Sequence, residues 1–396
     1  MSTDVKAAPP DRLVSLDAYR GLTMVAMASG GLGLHQVSKN FPDSPFWDAV
    51  GYHFEHAEWI GCATWDLIQP SFMFMVGVAM AYSCASRQAH GQSYGRMFAH
   101  AVVRSIVLVL LGIFLRSDNR PQTNFTFEDV LTQIGLGYTF LFLLWGRSMR
   151  FQFGAALAIL IGYWCLFYFY PLPGADFDYA KVGVGRDWPH LQGMAAHWDK
   201  NTNAAATFDQ WFLNLFPRSK PFVYNGGGYL TLSFIPSLAT MIFGLMAGEL
   251  LRSPRTSGQK FWILVMAGLV GLISGQLLHS TGICPIVKRI WTPSWTLFST
   301  GWTLLILAAF YGVVDVLKYR RWTFPLVVVG MNSITMYCME QLSHGWFYRT
   351  LRTHFGSGIF EFLGKPYEPM LARLFVLLGM WLVCYWLYRQ RIFIRI

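Results

Sequence analysis

A chain of 396 residues in which 54% of side chains are hydrophobic and only 13% charged cannot be an ordinary soluble globule. Its mean hydropathy of +0.36 says the same. The 31 Lys and Arg against 21 Asp and Glu give a formal net charge of +10, and in so apolar a chain that excess reflects loop topology rather than nucleic-acid affinity.

The chain reads as all-α and polytopic. Residues 1–11, MSTDVKAAPPD, are polar and form a loose cytoplasmic tail ahead of a single transmembrane domain over 12–396. About 20 apolar residues cross a bilayer as a helix. Ten such stretches are expected, at 21–36, 64–83, 102–115, 130–145, 151–170, 229–250, 261–278, 294–317, 325–341 and 370–388. Short loops rich in Lys and Arg stay cytoplasmic. Lys6, Arg12 and Arg20, together with the basic residues that follow every second stretch, put seventeen of the 31 on one side. Ten spans with both termini cytoplasmic follow. The first stretch stays as an anchor, because Asp17 interrupts the charged region a cleavable leader would need.

Two outer connections stand out, at 37–63 and 171–228. The second holds Trp188, His190, His197, Trp198 and Trp211. Aromatic rings with interspersed polar groups suit stacking on sugar faces, and they also anchor at any membrane interface. Six cysteines lack metal-ligand spacing and imply no disulfide framework. No GxGxxG, Walker loop, CxxC pair or HExxH is present, which argues against a nucleotide-hydrolysing pump, a zinc protease or any resident metal. No internal repeat of 20–50 residues is found.

Between residues 54 and 74 the chain reads FEHAEWIGCATWDLIQPSFMF. Ionisable groups at the mouth of a span are costly and point to a task. His56 leads, because imidazole titrates unaided near neutral pH and can take a proton from an amine or hydroxyl. Its bland alternative is an interfacial histidine bonded to water. Asp66, ten residues on, can accept the other ring N–H and fix the tautomer, or cap the helix it begins. Glu55 and Glu58 either recognise a cationic sugar or are solvated. His53, three residues earlier, competes with His56.

The opening RLVSLDAYRGLTM resembles the first-helix signature LDxxRG of transmembrane acyltransferases. With HAEWIGCATWDLIQPSFMFMVG it closely resembles the heparan-alpha-glucosaminide N-acetyltransferase family and its bacterial relatives. VLTQIGLGYTF, IPSLATMIFGLMAGELL, WTPSWTLFSTGWTLLILAAFY and VVGMNSITMY look like that family's later helices in the same order. The sequence departs from the family at Ala28 and Ser29, where an asparagine is often found.

The resemblance implies transfer of acetyl from cytosolic acetyl-CoA across the bilayer to an amine on an extracytoplasmic amino sugar or glycan. It places the family's catalytic histidine at His56 and its aspartate at Asp66, and that register prefers His56 over His53. It also implies a multi-pass protein of the bacterial inner membrane and, by analogy, a homodimer. On that reading the CoA phosphates meet Arg12 and Arg20, with Arg252, Arg320 and Arg321 as further cations. The alternative for Arg20 is a pair with Asp17. Glu58, Trp59 and Glu340 are expected at the acceptor. Asn332 and Glu340, eight positions apart, would share a helix face and line the thioester path or bond a neighbouring helix. Glu249 is expected to pair with Arg252; Gln133, His279 and Arg116 are weaker acceptor-side candidates.

Three competing readings remain open: O-acetylation of a glycan hydroxyl, a carbohydrate or lipid-linked sugar transporter, and a non-catalytic acyl-CoA binder.

Overall fold

The computed structural model describes residues 13–394. The fold is helical, and among the described residues the only extended pairing is one isolated bridge, Ile60 with Val287. Fourteen α-helices follow in order: α1 (Val14–Ala28), α2 (Leu34–Ser38), α3 (Pro45–His53), α4 (Ile68–Ala89), α5 (Tyr94–Arg116), α6 (Val130–Leu144), α7 (Met149–Tyr168), α8 (Ala204–Phe212), α9 (Phe234–Arg252), α10 (Ser257–Ser280), α11 (Pro293–Phe310), α12 (Phe324–Met331), α13 (Ser333–Phe355) and α14 (Glu368–Arg389).

Among the described residues, seven segments are long and apolar enough to cross a membrane, Thr64–Ala89, Thr231–Arg252 and Pro293–Val316 among them. The pair Arg321–Met331 and Ser333–Phe355 meets the same test together but bends by 69° at its junction. The centre of the bundle is α4 against α9, with α1 on α12, α5 on α6 and α10 on α11 around it. The α4–α9 contact depends on Gly77 and Gly244: a Cβ on either would run into the carbonyl oxygen of Met241 or Phe74 on the other helix. Small residues at such crossings let backbones close up where lipid supplies no hydrophobic drive between helices.

Two expected spans are corrected. The first helix covers 14–28, not 21–36, because GGLG at 30–33 follows it in a left-handed turn, with φ of 52°, 66°, 50° and 62°. Three of those four positions are glycines, which adopt that region without steric cost. The expected straight span over 325–341 is broken at Asn332 (φ −124°, ψ 40°). The Asn332 amide donates to Ile392 O and accepts from Ile394 N, each at 3.1 Å, so it ties the segment after α14 to the break.

Beyond one end of the bundle, an outer cap packs around Trp59, Trp198, Tyr163, Phe167, Leu230 and Val287. The cap positions the site.

Candidate active site

The loop after α3 is fastened to the loop before α11. Besides the Ile60–Val287 bridge, Gly61 N–H donates to Ile286 O at 2.9 Å. Gly61 sits at φ +114°, a conformation that favours glycine. The second loop is itself braced: Thr292 Oγ1 donates to Pro285 O at 2.8 Å and accepts from Val287 N at 3.1 Å. These contacts bring Lys288 beside the motif at 56–66.

There, His56 Nδ1 lies 2.7 Å from Asp66 Oδ1. Asp66 is fully buried. Its Oδ2 accepts the backbone N–H of Ala57 at 3.2 Å and of Ala63 at 2.9 Å, so it also closes the turn that begins the span. Lys288 Nζ stands 3.1 Å from Asp66 Oδ1 and 2.9 Å from His56 Nδ1. An ionised carboxylate only accepts, so Nδ1 carries the hydrogen and donates it to Asp66. Lys288 donates to the same oxygen, and Nε2 keeps its lone pair. With 38% of the His56 side chain exposed against 7% of Lys288 and none of Asp66, a buried ion pair supports an accessible imidazole.

Burial pushes the Lys288 ammonium down from its ordinary pKa, and the adjacent Asp66 carboxylate offsets part of that fall. Burial, reinforced by Asp66, pushes the Cys62 thiol up to about 12. Cys62 is therefore a thiol at neutral pH and no nucleophile. All six cysteines are free. No group of three His, Cys, Asp or Glu among the described residues is arranged to hold a metal ion.

The other expected residues are placed as follows. His53 is turned to Thr64 Oγ1 at 3.1 Å instead of toward Asp66, so geometry separates the two histidines. Glu55 pairs with His35 at 3.0 Å, and Glu58 is exposed. Trp59 is not an open stacking face: it is buried, its indole N–H donates to Trp198 O, and it meets Trp188 edge-on. Glu340 pairs with His344 at 3.1 Å. The break at Asn332 removes the shared helix face expected for Asn332 and Glu340, and the Asn332 amide is committed to the C-terminal segment. Among the described residues, no hydrogen bond or ion pair joins either residue to His56 or Asp66.

At the other end of the bundle, Arg20 lies 3.9 Å from Asp17, the expected intrahelical pair. Arg12 falls outside the described residues. Arg252 donates to Ala81 O at 2.9 Å instead of pairing with Glu249, whose carboxylate accepts from Gln152 at 3.0 Å. Arg320 lies 3.6 Å from Asp315. Gln133 bonds Gln69 and Glu128 O. An apolar groove of about 720 Å³, lined by Phe243, Met246, Leu250, Leu264 and Leu304, lies between α9, α10 and α11 and includes none of the His56 cluster.

Sequence reasoning missed Lys288. Its one local signal is a cation in the apolar run CPIVKRIW.

These features define a polytopic helical membrane protein with an acid–histidine–lysine cluster beneath a folded cap. No family model matches the chain. It is 25% identical over 98% of its length to the human protein "Heparan-alpha-glucosaminide N-acetyltransferase", and 24% identical over 99% to the mouse protein of that name. The chain is a relative of the heparan-alpha-glucosaminide N-acetyltransferases. It spans 61% and 62% of the length of these two relatives.

Proposed function

We propose that this chain is a transmembrane acetyltransferase that moves acetyl from acetyl-CoA, entering from the cytoplasm, to an amine of an extracytoplasmic amino sugar or glycan. The observation that carries the reading is the 2.7 Å contact between His56 Nδ1 and Asp66 Oδ1, which leaves Nε2 of a partly exposed ring as acceptor of a proton. The relatives' name supplies the reaction class, and the similarity runs the length of the chain.

In the proposed step the neutral amine attacks the thioester carbonyl while His56 Nε2 takes the proton that the nitrogen sheds. The tetrahedral adduct then expels the CoA thiolate, which recovers that proton from the imidazolium. Asp66 holds the ring in the tautomer whose Nε2 is free to take the proton. Direct transfer needs no enzyme nucleophile, in keeping with the un-ionised Cys62. Acetyl-CoA is too polar to cross lipid, so its path must be lined by protein. Seven long spans and one bent pair are apolar enough to cross; our reading counts α1 and α6 as two further crossings, which makes ten with both termini cytoplasmic.

The test is purified protein in detergent with acetyl-CoA and glucosamine. Acetyl-CoA should raise the melting temperature, and labelled acetyl should appear on the sugar nitrogen. Absence of both would refute the reading. Stabilisation without transfer would leave a binder of acyl-CoA and refute catalysis.

A further inference from the structure

The acid–histidine pair is not alone. Lys288 reaches it from a loop more than two hundred residues away, and the Ile60–Val287 pairing and the Thr292 brace fix that approach. Burying an ammonium is expensive and is tolerated only where a partner compensates. A salt bridge that served stability alone would not need to place its nitrogen 2.9 Å from the His56 imidazole.

Resting on the reading of His56 as base, we infer that Lys288 is a positioning residue that keeps His56 unprotonated at working pH by neutralising Asp66.

Asp66 serves two ends that conflict. Its carboxylate orients the ring, yet a bare buried anion 2.7 Å from an imidazole also favours the imidazolium, which cannot accept a further proton. The Lys288 ammonium, 3.1 Å from the same oxygen, cancels that anion and sits beside Nδ1, where it opposes positive charge on the ring. Orientation by the aspartate is kept while its pull on the ring's protonation is removed. After each transfer, the same repulsion helps the imidazolium pass its proton to the departing thiolate.

The charges near the ring come from three segments. Asp66 begins the span of α4, and Lys288 lies on the loop before α11. On the ring's own loop, Glu55 is paired with His35. Arg289 is turned away, donating to Gly227 O at 2.7 Å with its guanidinium over Tyr229. Cys62 is a neutral thiol. Lys288 is thus the cation in contact with the pair.

The test compares the native chain with Lys288→Met, Lys288→Arg and the double variant Asp66→Asn/Lys288→Met. Diethyl pyrocarbonate modifies an imidazole only in its unprotonated form. Its rate at the His56 peptide, followed by mass spectrometry from pH 5 to 9, reads the ring's protonation without turnover. Lys288→Met should move the half-maximal pH upward by about one unit or more, a tenfold change in the unprotonated fraction below that pH. Lys288→Arg should stay near native, and the double variant should return toward native. The acid limb of the pH–rate profile should move in parallel.

An unchanged midpoint in Lys288→Met, or an equal upward shift in the double variant, would overturn the inference. Because modification is read without substrate, a shifted midpoint in an enzyme inactive on glucosamine would sink the acceptor assignment and leave the role of Lys288 standing.

Discussion

The indole N–H of Trp59 donates to the backbone oxygen of Trp198 over 3.1 Å, tying the loop that bears His56 to the long outer connection. The two indoles share one buried cluster with Tyr163 and Val287, so the cap and the site are a single packed unit.

Trp59→Ala should therefore destabilise the cap by about 3–5 kcal/mol, the usual scale for emptying a buried aromatic site. Trp59→Phe keeps most of the packing and loses one hydrogen bond, about 1 kcal/mol. Thermal unfolding in detergent should rank native above Phe and Phe well above Ala. Equal melting of Ala and native protein would show that the cap is held elsewhere.

Asp66→Asn leaves a single acceptor oxygen where the native carboxylate serves His56, Lys288 and two backbone N–H groups. A fall in kcat of about 10²- to 10⁴-fold is expected, the range for losing control of a general base, while stabilisation by acetyl-CoA persists. Steady-state kinetics beside a thermal-shift titration would separate the two. Loss of cofactor binding together with rate would point to a collapsed site.

Asp209, on α8 in the cap, is buried, and its carboxylate accepts Thr231 N–H at 2.9 Å where the span of α9 begins. Burial pushes its pKa up to about 7. The folded protein then holds a proton that the unfolded chain releases near pH 4. The resulting stabilisation is full below about pH 4 and is lost as pH rises to 7. Melting temperatures of the native chain should fall from pH 5 to pH 8, and Asp209→Asn should flatten that slope. An unchanged slope would mean that the carboxylate stays ionised in the fold.

The sequence carried the polytopic helical character and the His56–Asp66 contact for a physical reason: both are local. Hydropathy over about twenty residues marks a span, and ten residues with a polar start to a helix bring an imidazole and a carboxylate together. What escaped was long-range. Lys288 meets His56 through backbone pairing between distant loops, and its hydropathy context looks like any interfacial cation. The break at Asn332 lies inside a mainly apolar stretch, and the Asn332 amide there binds a partner sixty residues on, at Ile392 and Ile394. Trp59 carries the composition of a sugar-stacking ring, but the cap folds over it. The GGLG turn was the one irregularity with a local cue, four residues dominated by glycine.

The central claim is that the His56 imidazole takes the proton from the acceptor amine. Its most direct measurement is acetyl transfer to glucosamine by His56→Ala beside His53→Ala, with acetyl-CoA stabilisation followed on the same samples. His56→Ala should lose transfer and keep stabilisation by acetyl-CoA, while His53→Ala, whose ring faces Thr64, should turn over near the native rate. Native turnover by His56→Ala would contradict the account.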